Sequence, residues 1–144
     1  MKLSTRTRYG VRAVIELAAS DGKKPVQLKL IAQRQDISVK YLEQLMNALR
    51  SGGVVHSIRG ARGGYILAKP PNQIKLGEVF HCLEGSVITA ECVEDKNYCR
   101  RAADCAARLL WVQVEEAIKN VLDSVTVQDL IDRAKEKRTS DYQI

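Results

Sequence analysis

Apolar residues recur at helical spacing in three successive stretches of the first half of the chain. They predict a helix over 5–19, a shorter one from 28 to about 35, and a third from 39 to about 51. Ser38 stands where it can cap the third helix. Because only a few residues separate the second helix from the third, the pattern predicts a helix-turn-helix.

Two short β-prone runs follow, at 54–58 and 65–68. Between them lies Arg59-Gly60-Ala61-Arg62-Gly63-Gly64, a glycine-rich segment with two arginines. Two such runs around a glycine-rich loop predict a β-hairpin. A hairpin directly after a helix-turn-helix fits a wing, although an arginine-bearing surface turn is the alternative.

The second half of the chain alternates between periodic and irregular stretches. Helices are predicted over 76–84 and from about 107 to 124, and the capping box Thr126-x-x-Asp129 predicts another. Between 86 and 106 the apolar period is lost, which indicates a loop. The polar tail over 135–144 is expected to fray.

These elements predict a mainly α fold: a winged helix-turn-helix domain with a long C-terminal helix that pairs with a second copy. The expected division is a DNA-binding domain at 1–84, a cysteine-bearing loop at 85–106, dimerisation and closing helices at 107–136, and a polar tail at 137–144. The long helix carries an apolar stripe that needs a partner surface. A second chain is favoured over the chain's own N-terminal half.

The third predicted helix has two distinct faces. Its apolar face is formed by Leu42, Leu45, Met46 and Leu49. Its polar face repeats at the same spacing and is formed by Lys40, Glu43, Gln44 and Asn47. Amide side chains pair with adenine, lysine reaches guanine or phosphate, and glutamate accepts from the cytosine amino group. An ordinary solvated face is the alternative.

Composition and charge favour a polyanionic partner. The chain has 144 residues, 45% of them apolar, and a net charge of +6. An aromatic content of 5% argues against a single-strand binder that stacks bases. The basic start of the chain could grip phosphates, with scattered solubilising charge as the alternative; it contains Lys2, Arg6, Arg8 and Arg12.

No apolar run is long enough for a membrane span, and the first residues do not form a signal peptide. We therefore expect a cytoplasmic protein with reduced thiols and no membrane partner. The motifs of common hydrolases, metalloproteases and nucleotide-binding enzymes are also lacking, so no enzymatic activity is expected.

Three of the four cysteines stand in the predicted loop, as Cys92-x6-Cys99-x5-Cys105. Thiolates on a flexible loop suit an iron–sulfur cluster or zinc. This spacing is wider than that of a zinc ribbon, and three unrelated cysteines are the alternative. Cys82 follows apolar helix positions and is expected to be a small buried residue.

Several segments together resemble the Rrf2 family of bacterial winged-helix regulators, which includes IscR, NsrR and CymR. The resemblance covers nearly the whole chain and is carried by LSTRTRYGVRAVIELA, KYLEQL and RGARGGY. It implies a homodimeric transcription factor, usually a repressor, in which Glu43 helps to select sequence and Arg59 enters the minor groove. The expected DNA-binding set is Lys2, Arg6, Arg8, Ser38, Lys40, Tyr41, Glu43, Gln44, Asn47, Arg59 and Arg62.

The same resemblance implies a role for the cysteines. IscR-type members hold an iron–sulfur cluster in this loop, and Cys92, Cys99 and Cys105 match the three thiolate ligands. Arg108 stands where those members have a histidine, and a guanidinium cannot ligate iron. The fourth ligand stays open among an exogenous molecule and the side chains Asp104, Glu91, Glu94, Asp95, His81 and Glu16. The expected cofactor is a 2Fe–2S cluster, ahead of a 4Fe–4S cluster and of zinc.

The leading hypothesis is a homodimeric regulator that binds a double-stranded DNA operator under control of an iron–sulfur cluster. One alternative is a CymR-type regulator of sulfur metabolism, controlled by a partner protein or by thiol redox state. Another is a cluster-carrying electron-transfer or cluster-transfer protein, which would not need the polar face or the wing.

Overall fold

The structure, a computed structural model, describes residues 2–20 and 24–142. Its elements follow one another as α1 (Thr5–Ala19), α2 (Leu28–Gln35), α3 (Val39–Ser51), β1 (Val55–Ile58), β2 (Gly64–Leu67), α4 (Leu76–Glu84), α5 (Glu91–Glu94), α6 (Ala106–Ser124) and α7 (Val127–Asp141). A 3-10 turn at Pro71–Gln73 precedes α4. The mainly α class with a two-stranded hairpin is confirmed.

Local capping sets where the first and third helices begin. The Ser4 hydroxyl accepts a hydrogen bond from the Thr7 amide at 3.1 Å, and the Ser38 hydroxyl accepts one from the Tyr41 amide at 3.1 Å. Each bond satisfies an amide that the helix itself leaves unpaired. Asp36 ends α2 in the left-handed conformation, with φ of 53°, which turns the chain directly into α3.

The hydrophobic core lies among α1, α2, α3, α4 and α7. Its largest fully buried side chains are Leu17, Ile31, Leu42, Leu45, Met46, Leu49, Ile74, Val14, Val54, Val55, Val79 and Val127. This set contains the whole apolar face predicted for α3. Burial of that face fixes α3 in the body and leaves its opposite face outward.

The hairpin is antiparallel and is tied to the helical body at its base. Val55 pairs with Leu67 and Ile58 with Gly64. Tyr65 exchanges two backbone hydrogen bonds of 2.9 Å with Val26, which precedes α2. Gly64 has φ of +153°, and a Cβ there would lie 2.3 Å from the Val26 carbonyl oxygen, so this close approach requires glycine.

The long helix α6 leaves the body, and the chain then returns to it. None of the 19 residues of α6 is buried. The Leu76 amide bonds the Val125 carbonyl, and the Val127 amide bonds the Ile74 carbonyl, both at 2.9 Å. Helix α7 then packs on α1 with Val127 and Ile131 buried, so its first half shares the core of the N-terminal domain.

Two sequence expectations are corrected by the structure. The stretch expected to be irregular contains the short helix α5, and the tail expected to fray continues as α7 to Asp141. The Thr139 and Ser140 hydroxyls donate to carbonyls four residues earlier at 3.0 and 3.1 Å, which adds bonds that an apolar pattern does not reveal. Residues 143–144 lie outside the described residues.

The expected four-part division of the chain stays a prediction. Among the residues that the structure describes, no helix combines the length and the apolar character needed to cross a bilayer.

Candidate nucleic-acid interface and cysteine segment

The polar face of α3 is open to solvent along its whole length. All four side chains of that face are exposed: Lys40, Glu43, Gln44 and Asn47. The opposite side of the same helix is fully buried in the core. Because the buried side cannot rotate outward, the four polar groups are held on a rigid rod and point away from the body.

Two further residues of the expected set lie at the start of α3. Ser38 is exposed, and its hydroxyl serves as the helix cap. Tyr41 is half-buried, and its ring meets Tyr9 of α1 edge to face, with centroids 6.3 Å apart. The Arg12 guanidinium lies 5.3 Å from the centre of the Tyr9 ring. These contacts link α1 to α3 beside the polar face, and Tyr9 was not predicted from the sequence as part of the site.

The tip of the hairpin is basic and tightly turned. Arg59 and Arg62 are both exposed. The Gly63 amide donates to the Gly60 carbonyl at 3.0 Å, and Gly60 has φ of +110°. In the part of the chain that the structure describes, the ion pairs join Arg34 to Glu16, Lys69 to Glu78 and Lys119 to Glu115. Neither wing arginine is neutralised by them.

The basic residues of the N-terminus are exposed and partly anchored. Lys2, Arg6 and Arg8 all face solvent. Arg6 donates from Nε to the Leu83 carbonyl at 3.0 Å, so one of its donors is already used at the end of α4. Within residues 2–20 and 24–142, the side chains of Lys2 and Arg8 make no hydrogen bond or ion pair.

The cysteine segment, residues 85–106, does not gather its three thiols. Cys92 lies half-buried in α5, Cys99 is exposed, and Cys105 is half-buried at the N-cap of α6. Nowhere in the described ranges do three Cys, His, Asp or Glu side chains lie close enough to share a metal ion. Three thiols on one segment have the chemistry of a cluster site, but their placement here does not fit one.

Two sets of hydrogen bonds attach the cysteine segment to α6. Arg108 donates from Nε to the Cys92 carbonyl oxygen at 2.8 Å. Thr89 donates from its amide to Glu115 at 3.3 Å and from its hydroxyl to the Trp111 carbonyl at 3.1 Å. A hydrogen bond from Lys119, reinforced by Thr89, holds the pKa of Glu115 below its ordinary value.

Cys82 lies apart from this segment, where α3 meets α4. It is half-buried, not fully buried as the sequence led us to expect. A Cβ on Gly52, the C-cap of α3, would lie 2.0 Å from the Cys82 sulfur, so the thiol packs against that helix end. Burial raises the pKa of the Cys82 thiol, which disfavours the reactive thiolate.

Residues 3–133 match the family model described as Rrf2, iron-dependent transcriptional regulator. The chain belongs to the Rrf2 family. The regulator CymR of Bacillus subtilis is 45% identical over 130 residues, which cover 90% of this chain and 89% of CymR. Members of the Rrf2 family are transcriptional regulators, so this protein is a DNA-binding regulator and not an enzyme.

Solved structures of Rrf2 regulators agree with this fold. CymR, described as the global cysteine regulator of B. subtilis, superposes with a TM-score of 0.78 at 44% identity, covering 92% of this chain and 98% of that one. IscR of T. potens superposes with a TM-score of 0.78 at 42% identity, covering 95% and 90%. The chain is similar to a CymR and to an IscR to nearly the same degree.

As the apolar spacing predicts, α6 presents an apolar stripe, of which only the C-terminal end, Leu122 and Val125, packs against the core of the described chain. Leu110 is 51% exposed and Val121 is 62% exposed. The rest of the stripe lines a shallow apolar groove of Val114, Ala117, Ile118 and Leu122. A 19-residue helix is about 28 Å long, and a stripe of that length needs cover by another surface.

Sequence reasoning did not find the contacts that hold the cysteine segment in this Rrf2 chain. Thr89 and Glu115 are 26 residues apart, and Cys92 and Arg108 are 16 apart. A long-range polar contact leaves no periodic signal, and Arg108 stood out only because it replaces an expected histidine.

Proposed function

We propose that this protein is a homodimer that binds an operator in double-stranded DNA, with α3 in the major groove and the hairpin tip in the minor groove. The observation that carries the proposal is the outward polar face of α3, fixed by a fully buried apolar face. A helix fits the major groove, where each base pair presents a distinct set of donors and acceptors.

Each group has a proposed task. Gln44 and Asn47 pair with adenine, Lys40 reaches guanine or phosphate, and Glu43 accepts from the cytosine amino group. Arg59 enters the minor groove, whose negative potential favours a guanidinium. The remaining groups position the protein on phosphates, without reading bases; these are Lys2, Arg6, Arg8, Ser38, Tyr41 and Arg62.

The proposed dimer forms through the stripe on α6. A second copy supplies an identical stripe, which covers the apolar groove on both chains. Two α3 helices related by a twofold axis then face half-sites one or more turns of the duplex apart. The +6 charge of each chain is doubled in the dimer, which strengthens attraction to DNA.

Selection of bound duplexes from a random pool tests this function. We expect enrichment of an inverted repeat whose half-sites are about 10 base pairs apart, or a multiple of that spacing. A matched chain with Gln44→Ala and Asn47→Ala should enrich the same repeat with weaker preference at adenines. No enriched sequence, or a single asymmetric site, would contradict a dimeric operator-binding protein.

We further propose that the cysteine segment carries the signal input, with an iron–sulfur cluster as its leading form. The support is the three thiols, the iron-dependent description of the matching family, and the similarity to IscR. Cys92, Cys99 and Cys105 are the proposed ligands, and 2Fe–2S is preferred to 4Fe–4S and to zinc. The three thiols are not gathered in this structure.

The second candidate is control by thiol redox state or by a partner protein, as proposed for a CymR-type regulator. It is favoured by the dispersed thiols and by Arg108, which has no lone pair for iron. Iron and acid-labile sulfide quantitation on anaerobically purified protein separates the two. A coloured protein that loses its iron in Cys99→Ser supports the cluster. Colourless protein with unchanged operator affinity after reconstitution supports the second candidate.

A further inference from the structure

The side chain of Arg108 reaches back to the cysteine segment from the first turn of α6. Its Nε donates to the Cys92 carbonyl oxygen at 2.8 Å, and both residues are half-buried. This bond joins α5 to α6 across 16 residues of chain. A hydrogen bond from a charged donor is about twice as strong as one between neutral groups.

The residues before Cys92 are attached to the same side of α6. Thr89 bonds the Trp111 carbonyl and the Glu115 carboxylate. Arg108, Trp111 and Glu115 are three and four residues apart along α6, which places them on one face of the helix. The stretch 89–92 is therefore held along two turns of α6 by backbone and side-chain bonds.

The hydrogen bond to Cys92 offsets an electrostatically unfavourable position of Arg108. A positive side chain in the first turn of a helix is opposed by the helix dipole, whose N-terminal end is also positive. The Cys92 carbonyl supplies the partial negative charge that offsets this opposition. Arg108 stands at the position where a histidine ligand was expected. In place of a metal ligand, that position supplies a hydrogen bond that links Cys92 to α6.

We propose that Arg108 is a positioning residue that holds Cys92 on α6 in the metal-free protein, and that it thereby fixes the arrangement in which the three thiols of the segment stay apart. The inference rests on the proposed role of the segment as signal input. A signal that acts through Cys92 therefore has to break the hydrogen bond from Arg108 or act in its presence.

Hydrogen–deuterium exchange on the metal-free, reduced, full-length chain tests the proposal. Arg108→Ala should speed exchange in peptides covering 89–95 by about five- to tenfold, because one charge-assisted bond is lost. Arg101→Ala is the matched control, since Arg101 is an exposed arginine of the same segment. It should leave those peptides unchanged. Arg108→Lys keeps a charged donor and should restore most of the protection.

Alkylation of Cys92, followed by mass spectrometry, gives a second measurement in the same samples. Cys92 should react faster in Arg108→Ala relative to the exposed Cys99, while Cys82 keeps its rate. Equal exchange and equal Cys92 reactivity in wild type and Arg108→Ala would overturn the proposal, as would an equal effect of Arg101→Ala. If the alanine variant does not fold, Arg108→Gln is measured in its place.

Duplex binding by the same samples separates this proposal from the proposed function. Wild-type protein that binds no duplex DNA contradicts the proposed function, whatever the exchange result. Wild-type protein that binds DNA, with exchange unaffected by Arg108→Ala, contradicts only the positioning role.

Discussion

The carboxylate of Glu84, the last residue of α4, accepts a hydrogen bond of 2.6 Å from the hydroxyl of Thr7 in α1. Thr7 is buried, and the Ser4 hydroxyl bonds the same carboxylate. The chain passes from Glu84 directly into the cysteine segment. This one contact therefore joins the start of that segment to the helix that carries the basic N-terminal residues.

Thr7→Val should destabilise the fold by about 1 kcal/mol, because it removes the hydroxyl donor while keeping the side-chain shape. Thr5→Val is the matched control, since Thr5 is exposed in the same helix turn. Urea unfolding of both variants measures the difference. Equal losses in the two variants would show that the Thr7–Glu84 bond contributes nothing to stability.

Glu115 should contribute stability that depends on pH. Its pKa is lowered in the folded chain, chiefly by the hydrogen bond from Lys119. That contribution is present above the ordinary carboxyl pKa of 4.5 and is lost as the pH falls through the lower folded value. Wild type should therefore exceed Glu115→Gln in stability at pH 7, and the gap should close in acid. A gap that stays constant from pH 7 to about pH 3 would contradict this assignment.

Val121→Glu should weaken the dimer about a hundredfold, because each chain loses the burial of one valine and places a charge in an apolar interface. Asn120→Glu adds the same charge beside the stripe and should leave the dimer intact. Light scattering on a sizing column gives the mass of each variant across a dilution series. A Val121→Glu protein that stays dimeric at every dilution would place the interface elsewhere.

Glu43→Ala should relax sequence preference more than it lowers affinity, because a direct base contact is worth about 1–3 kcal/mol of discrimination. Competition between operators that differ at single cytosines measures the preference. The exposed carboxylate of Glu136 in α7 provides the control, and Glu136→Ala should leave preference unchanged. A uniform loss of affinity across all operators would show that Glu43 does not read a base.

The winged helix could be predicted from the sequence because its signals are local. The apolar period of α3 and the Ser38 cap fix a helix whose ends the structure places at Val39 and Ser51. The hairpin followed from two short runs and their glycine-rich connection, and the structure shifts its strands by one residue at most. Neighbouring residues decide these features, so a pattern read along the chain is sufficient.

The cysteine segment could not be predicted in the same way, because distant polar groups decide its path. Whether Cys92, Cys99 and Cys105 meet depends on the bonds that Arg108 and Glu115 make across the segment. The spacing of the cysteines shows only that they could converge. The end of α7 escaped prediction for a related reason, since bonds from hydroxyls to carbonyls extend it without an apolar face.

Dimethyl sulfate footprinting on the selected operator tests most directly whether the outward face of α3 lies in the major groove. The reagent methylates guanine N7 in the major groove and adenine N3 in the minor groove. We expect N7 protection in two patches on one side of the duplex, about 10 base pairs apart or a multiple of that spacing. Operator binding without N7 protection would contradict this placement of α3.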